Sequence, residues 1–208
     1  MKGVCYIVGA GDNSGTNFSI NKENNDCVIA ADGGLEALEE IKIEPDYILG
    51  DFDSLGYIPQ GKNVIRHKVE KDDTDMMLAV QFAMEKGYEN IIIYGGTGGS
   101  RIDHTFANIQ TLLYASKRDV NIKMIDAVNE FYVITDREIS LEARKKGNLS
   151  VFPLDDRADG VDITGALYPT DNITLYSDAT LSVSNSFMGN AVKIKVRKGS
   201  LLIVAEKP

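Results

Sequence analysis

Ile48-Leu49-Gly50-Asp51-Phe52-Asp53-Ser54 decides how the first half of this chain is read. Ile48, Leu49 and Gly50 are apolar or small and fit the end of a buried strand. Asp51 and Asp53 follow, one residue apart. In a continuing strand their side chains would point to opposite faces, but a strand end that turns into a loop brings both onto one ion. The crevice outside the carboxyl end of a parallel strand is where open α/β sheets bind ligands. Hard oxygen ligands there suit Mg²⁺, which takes one or two carboxylates plus substrate phosphates. The competing reading is an acidic turn, because Asp and Ser favour turns on their own account.

Outward from this stretch, the chain to about residue 126 alternates between two rhythms. Apolar runs predict strands over 4–8, 27–31, 47–49, 63–67, 91–94 and 121–125, and helices over 35–41, 74–86 and 103–117. The helix from Thr74 places Met76, Ala79, Val80 and Ala83 on one face, the spacing of an amphipathic helix, and Gly87 closes it. Strands alternating with helices predict a parallel sheet with helices on its faces. From about Asn129 the pattern changes to short strands between turns, over 131–134, 149–153, 161–164, 173–176, 182–186, 191–196 and 200–205, without a helix of ordinary length. Such a run predicts a small sandwich or barrel. The expected division is therefore residues 1–127 as an α/β domain and residues 128–208 as an all-β domain, with a boundary near Ala127–Glu130 and no Pro- or Ser-rich linker.

Composition narrows the function. The 208 residues carry 43% hydrophobic and 25% charged side chains, ordinary for a globular protein with its own core. No apolar run reaches the roughly 20 residues that span a bilayer. The N-terminal run from Met1 leads into a Gly-rich loop and reads as a first strand, not a signal peptide. The two cysteines, Cys5 and Cys27, have no metal-type spacing and read as buried free thiols, which fits a cytoplasmic location. The net charge of −9, with no Lys/Arg-rich stripe, argues against nucleic acid as a partner. An acidic protein that handles phosphates needs metal ions to offset the repulsion.

Four further polar clusters follow predicted strands. Gly9-Ala10-Gly11-Asp12-Asn13-Ser14-Gly15 lacks the spacing of a dinucleotide fingerprint and the Lys of a P-loop, and reads as a flexible turn. Ala31-Asp32-Gly33-Gly34 permits close backbone approach and opens a helix whose N–H groups suit phosphate; a tight turn capped by Asp32 is the alternative. In Lys71-Asp72-Asp73-Thr74-Asp75 three carboxylates fall within four positions, more than helix capping needs, and Asp72 and Asp75 share a face. In Gly95-Gly96-Thr97-Gly98-Gly99-Ser100-Arg101-Ile102-Asp103-His104 the glycines expose N–H groups that can cradle phosphate, Arg101 offers bidentate geometry, and His104, taken alone, reads more readily as structural, packed or hydrogen-bonded at the helix start. In a parallel sheet all these loops share one edge. Carboxylates, Gly-rich loops and one Arg are the parts that phosphoryl transfer uses.

Taken in order, Ala31-Asp32-Gly33-Gly34, Leu49-Gly50-Asp51-Phe52-Asp53-Ser54, Lys71-Asp72-Asp73-Thr74-Asp75, the 95–104 run and Ser184-Asn185-Ser186-Phe187 resemble the thiamine pyrophosphokinase family over essentially the whole chain. The resemblance implies a Rossmann-like α/β nucleotide-binding domain, a C-terminal thiamine-binding β-sandwich, and a homodimer with active sites near the subunit interface. It implies a Mg²⁺-dependent reaction in which the thiamine hydroxyl attacks the β-phosphorus of ATP, giving AMP and thiamine diphosphate. By motif, Asp51, Asp53 and Asp75 would bind Mg²⁺. Asp32, Gly33, Gly34, Gly95, Gly96, Thr97, Gly98, Gly99, Arg101, Asp103 and His104 would hold and orient the nucleotide, with Arg101 also meeting charge on the transferred group. Asp72, Thr74, Ser184 and Asn185 would contact thiamine. The chain has no Trp to stack on thiamine, so Phe187 or a Tyr would take that place. Two other readings compete. A haloacid dehalogenase-type phosphatase would use Asp51 as nucleophile, but it wants that motif near the chain start and leaves loop 95–99 without a role. A non-enzymatic nucleotide sensor has little need of so many carboxylates.

Overall fold

The structure, a computed structural model, describes residues 2–52, 59, 61, 63–66 and 72–208. Asp53, Ser54, His67 and Lys71 of the motifs above lie outside the described residues. The chain divides into two compact units, Met1–Ala115 with Val120–Ala127, and Ser116–Asp119 with Val128–Pro208.

The first unit is built from β1 (Cys5–Val8), β2 (Cys27–Ala31), α1 (Gly34–Glu40), β3 (Tyr47–Gly50), β4 (Val64–Arg66), α2 (Asp75–Glu85), β5 (Asn90–Tyr94), α3 (Ile102–Ser116) and β6 (Asn121–Ile125). Its strands lie in the order β6-β5-β1-β2-β3-β4, and every pairing is parallel. The central strands β1 and β2 are buried along their whole length, as expected where both sheet faces are covered and alternation disappears. Tyr6, Val8, Val28 and Ala30 pack with Leu35 and Leu38 of α1 on one face. Cys5, Ile7, Cys27 and Ile29 alternate with them along β1 and β2 and are equally buried. Helix α2 packs on β1, β2 and β3 and buries Met76, Ala79, Val80 and Ala83, the face its sequence marks as apolar. Thr74 caps it, its side chain accepting from the Met77 N–H at 3.2 Å. Cys5 and Cys27 are register partners on adjacent strands, buried and free.

Strand order locates the binding edge. Strands β2, β3 and β4 extend from β1 in one direction, and β5 and β6 in the other. The chain therefore reverses its direction of winding between β1 and β5. At such a switch point the loops leaving the two strands diverge and open a crevice.

The second unit contains β7 (Asn129–Thr135), β8 (Glu138–Leu141), β9 (Asn148–Pro153), β10 (Arg157–Thr164), β11 (Thr170–Tyr176), β12 (Asn185–Ser186), β13 (Val192–Lys195) and β14 (Ser200–Glu206). They form the sheets β12-β9-β14-β7 and β11-β10-β13-β8, with antiparallel pairings throughout. Both sheets contribute to one apolar cluster, with Leu149, Val151, Leu201 and Ile203 from the first and Val161, Ile163, Val192 and Ile194 from the second. Two differences from the sequence reading have local causes. The strand predicted over 182–186 shrinks to Asn185–Ser186 because Ser182 and Ser184 sit at φ 77° and 60°, left-handed backbone that a strand cannot hold. Strand β8 was not anticipated; it is short and only Leu141 is buried in it, too little for a visible alternation.

Arg144 anchors this unit. Its guanidinium is buried, pairs with Glu130 at 2.5 Å, donates to the Glu206 carbonyl and lies 4.7 Å from the centre of the Phe187 ring. Removing one partner of a buried ion pair strands the other charge, at a cost of about 3–5 kcal/mol. Arg144→Ala is expected to lower unfolding free energy by that amount in urea denaturation. A loss below about 1 kcal/mol would show that the pair is not anchoring the fold.

Candidate active site at the carboxyl edge of the parallel sheet

The loops leaving β1 and β5 meet backbone to backbone. The Gly9 N–H donates to Tyr94 O at 2.9 Å, the Gly11 N–H to Gly95 O at 2.9 Å, and the Asp12 N–H to Thr97 O at 3.0 Å. A methyl group on Gly11 would lie 2.5 Å from Gly95 O, and one on Gly95 2.3 Å from Gly9 O. No side chain fits at these positions. Asn13 reinforces the seam by donating its amide to Gly9 O at 3.1 Å and Gly11 O at 3.2 Å. From behind, the buried Asn108 of α3 donates to Gly96 O at 2.7 Å, and Thr97 donates to the Asp126 carboxylate at 3.1 Å.

This seam floors a cavity of about 640 Å³, within the range of small-molecule sites. The wall brings together Asp32, Thr74, Asp75, Gly95, Gly96, Thr97, Gly98, Gly99, Arg101 and His104, all anticipated from the sequence. Gly9, Ala10, Gly11, Asp12, Ala31, Met76, Ser100, Thr105 and Asn108 complete it. The sequence reading treated loop 9–12 as a plain turn and did not single out Asn108. The signal for the former lay in its glycines, whose purpose is visible only once β5 is known to neighbour β1.

Other anticipated residues stand apart from this wall. Gly33 and Gly34 do not line it; Gly33 caps α1, and Gly34 is buried so tightly that a methyl group there would meet Val8 O at 1.9 Å. Its lack of a side chain serves helix-on-strand packing. Asp51, Asp72 and Asp103 also lie off the lining. Asp103 is exposed and held by Arg101, with Nη2 2.7 Å and Nε 3.0 Å from its carboxylate. In the second unit, Asn185 is 2% exposed. Its side chain accepts from the Tyr168 N–H at 2.9 Å and donates to the Tyr168 carbonyl at 2.8 Å. Phe187 is also 2% exposed, under Arg144. The ring expected to face a ligand is thus part of the β core, whereas Tyr168, which Asn185 holds in place, is 63% exposed.

Electrostatics sort what this cavity accepts. Asp12 accepts from both the Oγ and the N–H of Ser14, and these bonds hold its carboxyl below the usual range. Asp32 sits at φ 50° and Phe52 at φ 63°; such left-handed non-glycine residues cost roughly 1–3 kcal/mol each and cluster at functional sites. Asp12, Asp32 and Asp75 supply hard oxygen donors, which suit Mg²⁺ and not a soft metal. Among the described residues no three candidate ligands already converge on one point, and Mg²⁺ commonly completes its shell with water and phosphate oxygens.

A crevice at the switch point of a parallel sheet, lined by carboxylates and Gly-rich loops, belongs to the class of α/β proteins that bind ligands at the carboxyl edge, and this chain adds an antiparallel β unit. The model for the thiamin pyrophosphokinase catalytic domain matches residues 19–124, and that for the thiamin pyrophosphokinase vitamin B1 binding domain matches residues 136–201. The chain belongs to the thiamin pyrophosphokinase family. It is 29% identical to the thiamine pyrophosphokinase of Bacillus subtilis (strain 168) over 98% of both chains. Crystal structures of thiamine pyrophosphokinases from Bacillus subtilis and Geobacillus thermodenitrificans superpose on it with TM-scores of 0.84 and 0.83, at 27% and 25% identity. They cover 99% of this chain and 99% and 98% of theirs.

The Arg101–Asp103 pair gives a direct check on the loop geometry. The guanidinium lowers the Asp103 carboxyl to about 2. A carboxyl depressed in the folded chain contributes stability above its unfolded value of about 3.9, and that contribution is lost as pH falls through about 2. Carboxyl NMR titration is expected to give a midpoint near 2 for Asp103, rising towards ~3.9 in Arg101→Ala. A wild-type midpoint already near the unfolded value would contradict the pairing.

Proposed function

We propose that this chain transfers the pyrophosphoryl group of ATP to the hydroxyl of thiamine, giving thiamine diphosphate and AMP. The supporting observation is the cavity itself: carboxylates, Gly-rich loops and one Arg gathered at the switch point of the sheet, in a member of the thiamin pyrophosphokinase family. In this reading the first unit is Rossmann-like and holds the nucleotide, the second is a β-sandwich that presents thiamine, and the division falls at 127/128. The thiamine oxygen bonds to the β-phosphorus, the bond from that phosphorus to the oxygen bridging the α-phosphorus breaks, AMP departs with that oxygen, and the hydroxyl proton is released.

The chain's own groups divide the work. The N–H groups of loop 95–99 face phosphate oxygens, and Asn108 and the seam with loop 9–12 keep that loop from yielding. Arg101 exchanges its Asp103 partner for phosphate, the same bidentate geometry serving both anions. His104 orients the nucleotide. Asp51, Asp53 and Asp75 hold Mg²⁺, with Asp72 and Thr74 shaping the same edge; when bound, that ion offsets repulsion between the acidic wall and the phosphates. Positioning supplies much of the rate in such chemistry. Tyr168 takes the place beside the thiamine rings, Asn185 acts by fixing its backbone, and Ser184 lies alongside. The active form is a homodimer with its sites near the subunit interface; exposed Leu167, Tyr168, Leu181 and Val183 offer apolar surface to a second copy. The buried free thiols suit a cytoplasmic setting.

Asp75→Asn and Asp51→Asn are expected to keep the fold and to lower thiamine-dependent AMP formation by about a hundredfold or more. Near-wild-type turnover at saturating Mg²⁺ in either would overturn the metal assignment. Tyr168→Ala is expected to raise the KM for thiamine by roughly tenfold, consistent with the worth of one aromatic contact, while the KM for ATP stays constant. An unchanged thiamine KM would remove Tyr168 from the site.

A further inference from the structure

The loops that carry Asp51 and Asp32 meet at Gly50, beside a residue with no polar atom in its side chain. Strand β3 ends at Gly50, and Phe52 then turns into left-handed backbone at φ 63°. For a bulky L-residue this is an outlier that the surroundings must hold in place. They do so by burial, because the Phe52 side chain is only 3% exposed. Gly50 shows what the ring rests on. A methyl group on Gly50 would come within 3.3 Å of Phe52 Cε1 and within 3.1 Å of Asp32 Cα. The Asp32 N–H also donates to Leu49 O at 2.7 Å, and Asp32 is itself left-handed at φ 50°. The edge of the Phe52 ring and the backbone of Asp32 therefore both border the bare Cα of Gly50.

We propose that Phe52 is a positioning residue for the metal-bearing edge: its buried ring locks the left-handed turn and so fixes Asp51 relative to Asp32. Asp51 lies between Gly50, held against Asp32, and Phe52, held by its ring. Its backbone is thus pinned on both sides. A strand that continued its alternation would send Asp51 and its neighbours to faces set by the pleat. The turn at Phe52 frees the chain from that pattern, and the ring supplies the rigidity that a glycine at the same φ would lack. Carboxylates that hold an ion need placement within about half an ångström, and here an apolar side chain provides it. The inference rests on the reading of Asp51 as a Mg²⁺ ligand.

The test compares wild type, Phe52→Ala, Phe52→Leu and Ile91→Ala. Ile91 is 1% exposed near the start of β5, at the opposite end of the sheet, so its truncation reports the effect of a core cavity alone. Mn²⁺ binding to each protein, without nucleotide and with a non-hydrolysable ATP analogue, is followed by electron paramagnetic resonance, and the Mg²⁺ dependence of AMP formation is measured alongside. Positioning predicts a Kd for Mn²⁺ raised about tenfold in Phe52→Ala, with the Mg²⁺ requirement rising in step and the KM for thiamine unchanged. Ile91→Ala, despite a comparable loss of Tm, should stay within about twofold of wild type for the metal. If Phe52→Ala does not fold, Phe52→Leu, which keeps apolar bulk, decides by the same comparison, with an intermediate loss expected. Folded Phe52 variants that bind Mn²⁺ as wild type does, or that lose affinity no more than Ile91→Ala, would overturn the inference while leaving the metal site standing. A wild-type protein that binds no Mn²⁺ would overturn the metal site and the inference together.

Discussion

Everything at the carboxyl edge depends on how closely the backbones leaving β1 and β5 approach. Three hydrogen bonds from Gly9, Gly11 and Asp12 to the β5 side close that seam, and at Gly11 and Gly95 a single methyl group would force it open. The seam is the floor of the cavity. It turns two Gly-rich stretches into one fixed surface; in the function proposed here that rigidity serves phosphate binding, because groups that must reorganise on binding lose much of their value. Asn108 and Thr97 tie the same loop to α3 and to Asp126. The glycines thus act by removing atoms, and the rigidity comes from polar side chains behind them.

The second constraint is charge. Acidic residues around a cavity in an acidic chain repel anions, so in the function proposed here a bound cation would offset that repulsion. The one Arg on the wall is already held by Asp103. At more than half exposure both groups are well screened, so the pair is weak and exchange of partners is inexpensive. Asp12, Asp32 and Asp75 line the same cavity, so its wall is acidic before any ligand enters.

Much of this was legible in the sequence, and what was not has identifiable causes. Buried parallel strands announce themselves as apolar runs, and α2 showed its buried face residue by residue. The polar clusters after the strands pointed to one edge because topology forces that placement. Strand order was not legible, since no local signal in β1 or β5 says that they are neighbours; the role of loop 9–12 depended on it. Gly33 and Gly34 carried the same signal as the cavity glycines, yet Gly34 serves packing against Val8. Spacing cannot separate a glycine that admits a ligand from one that admits a strand. Phe187 poses a related difficulty. Aromatic character near a polar motif suggests stacking, but that ring lies buried under Arg144, and an exposed ring belongs to Tyr168, seventeen residues before Asn185 and tied to it through the Asn185 side chain. Left-handed Phe52 was unpredictable, because non-glycine residues at positive φ are held by tertiary packing.

The most direct test of the account is chromatographic product analysis after incubating the protein with ATP, Mg²⁺ and thiamine. The account predicts AMP and thiamine diphosphate in equal amounts, both dependent on thiamine. ADP with thiamine monophosphate would move the attack to the γ-phosphorus, and an absence of thiamine-dependent nucleotide turnover would contradict the assignment of this cavity to pyrophosphoryl transfer.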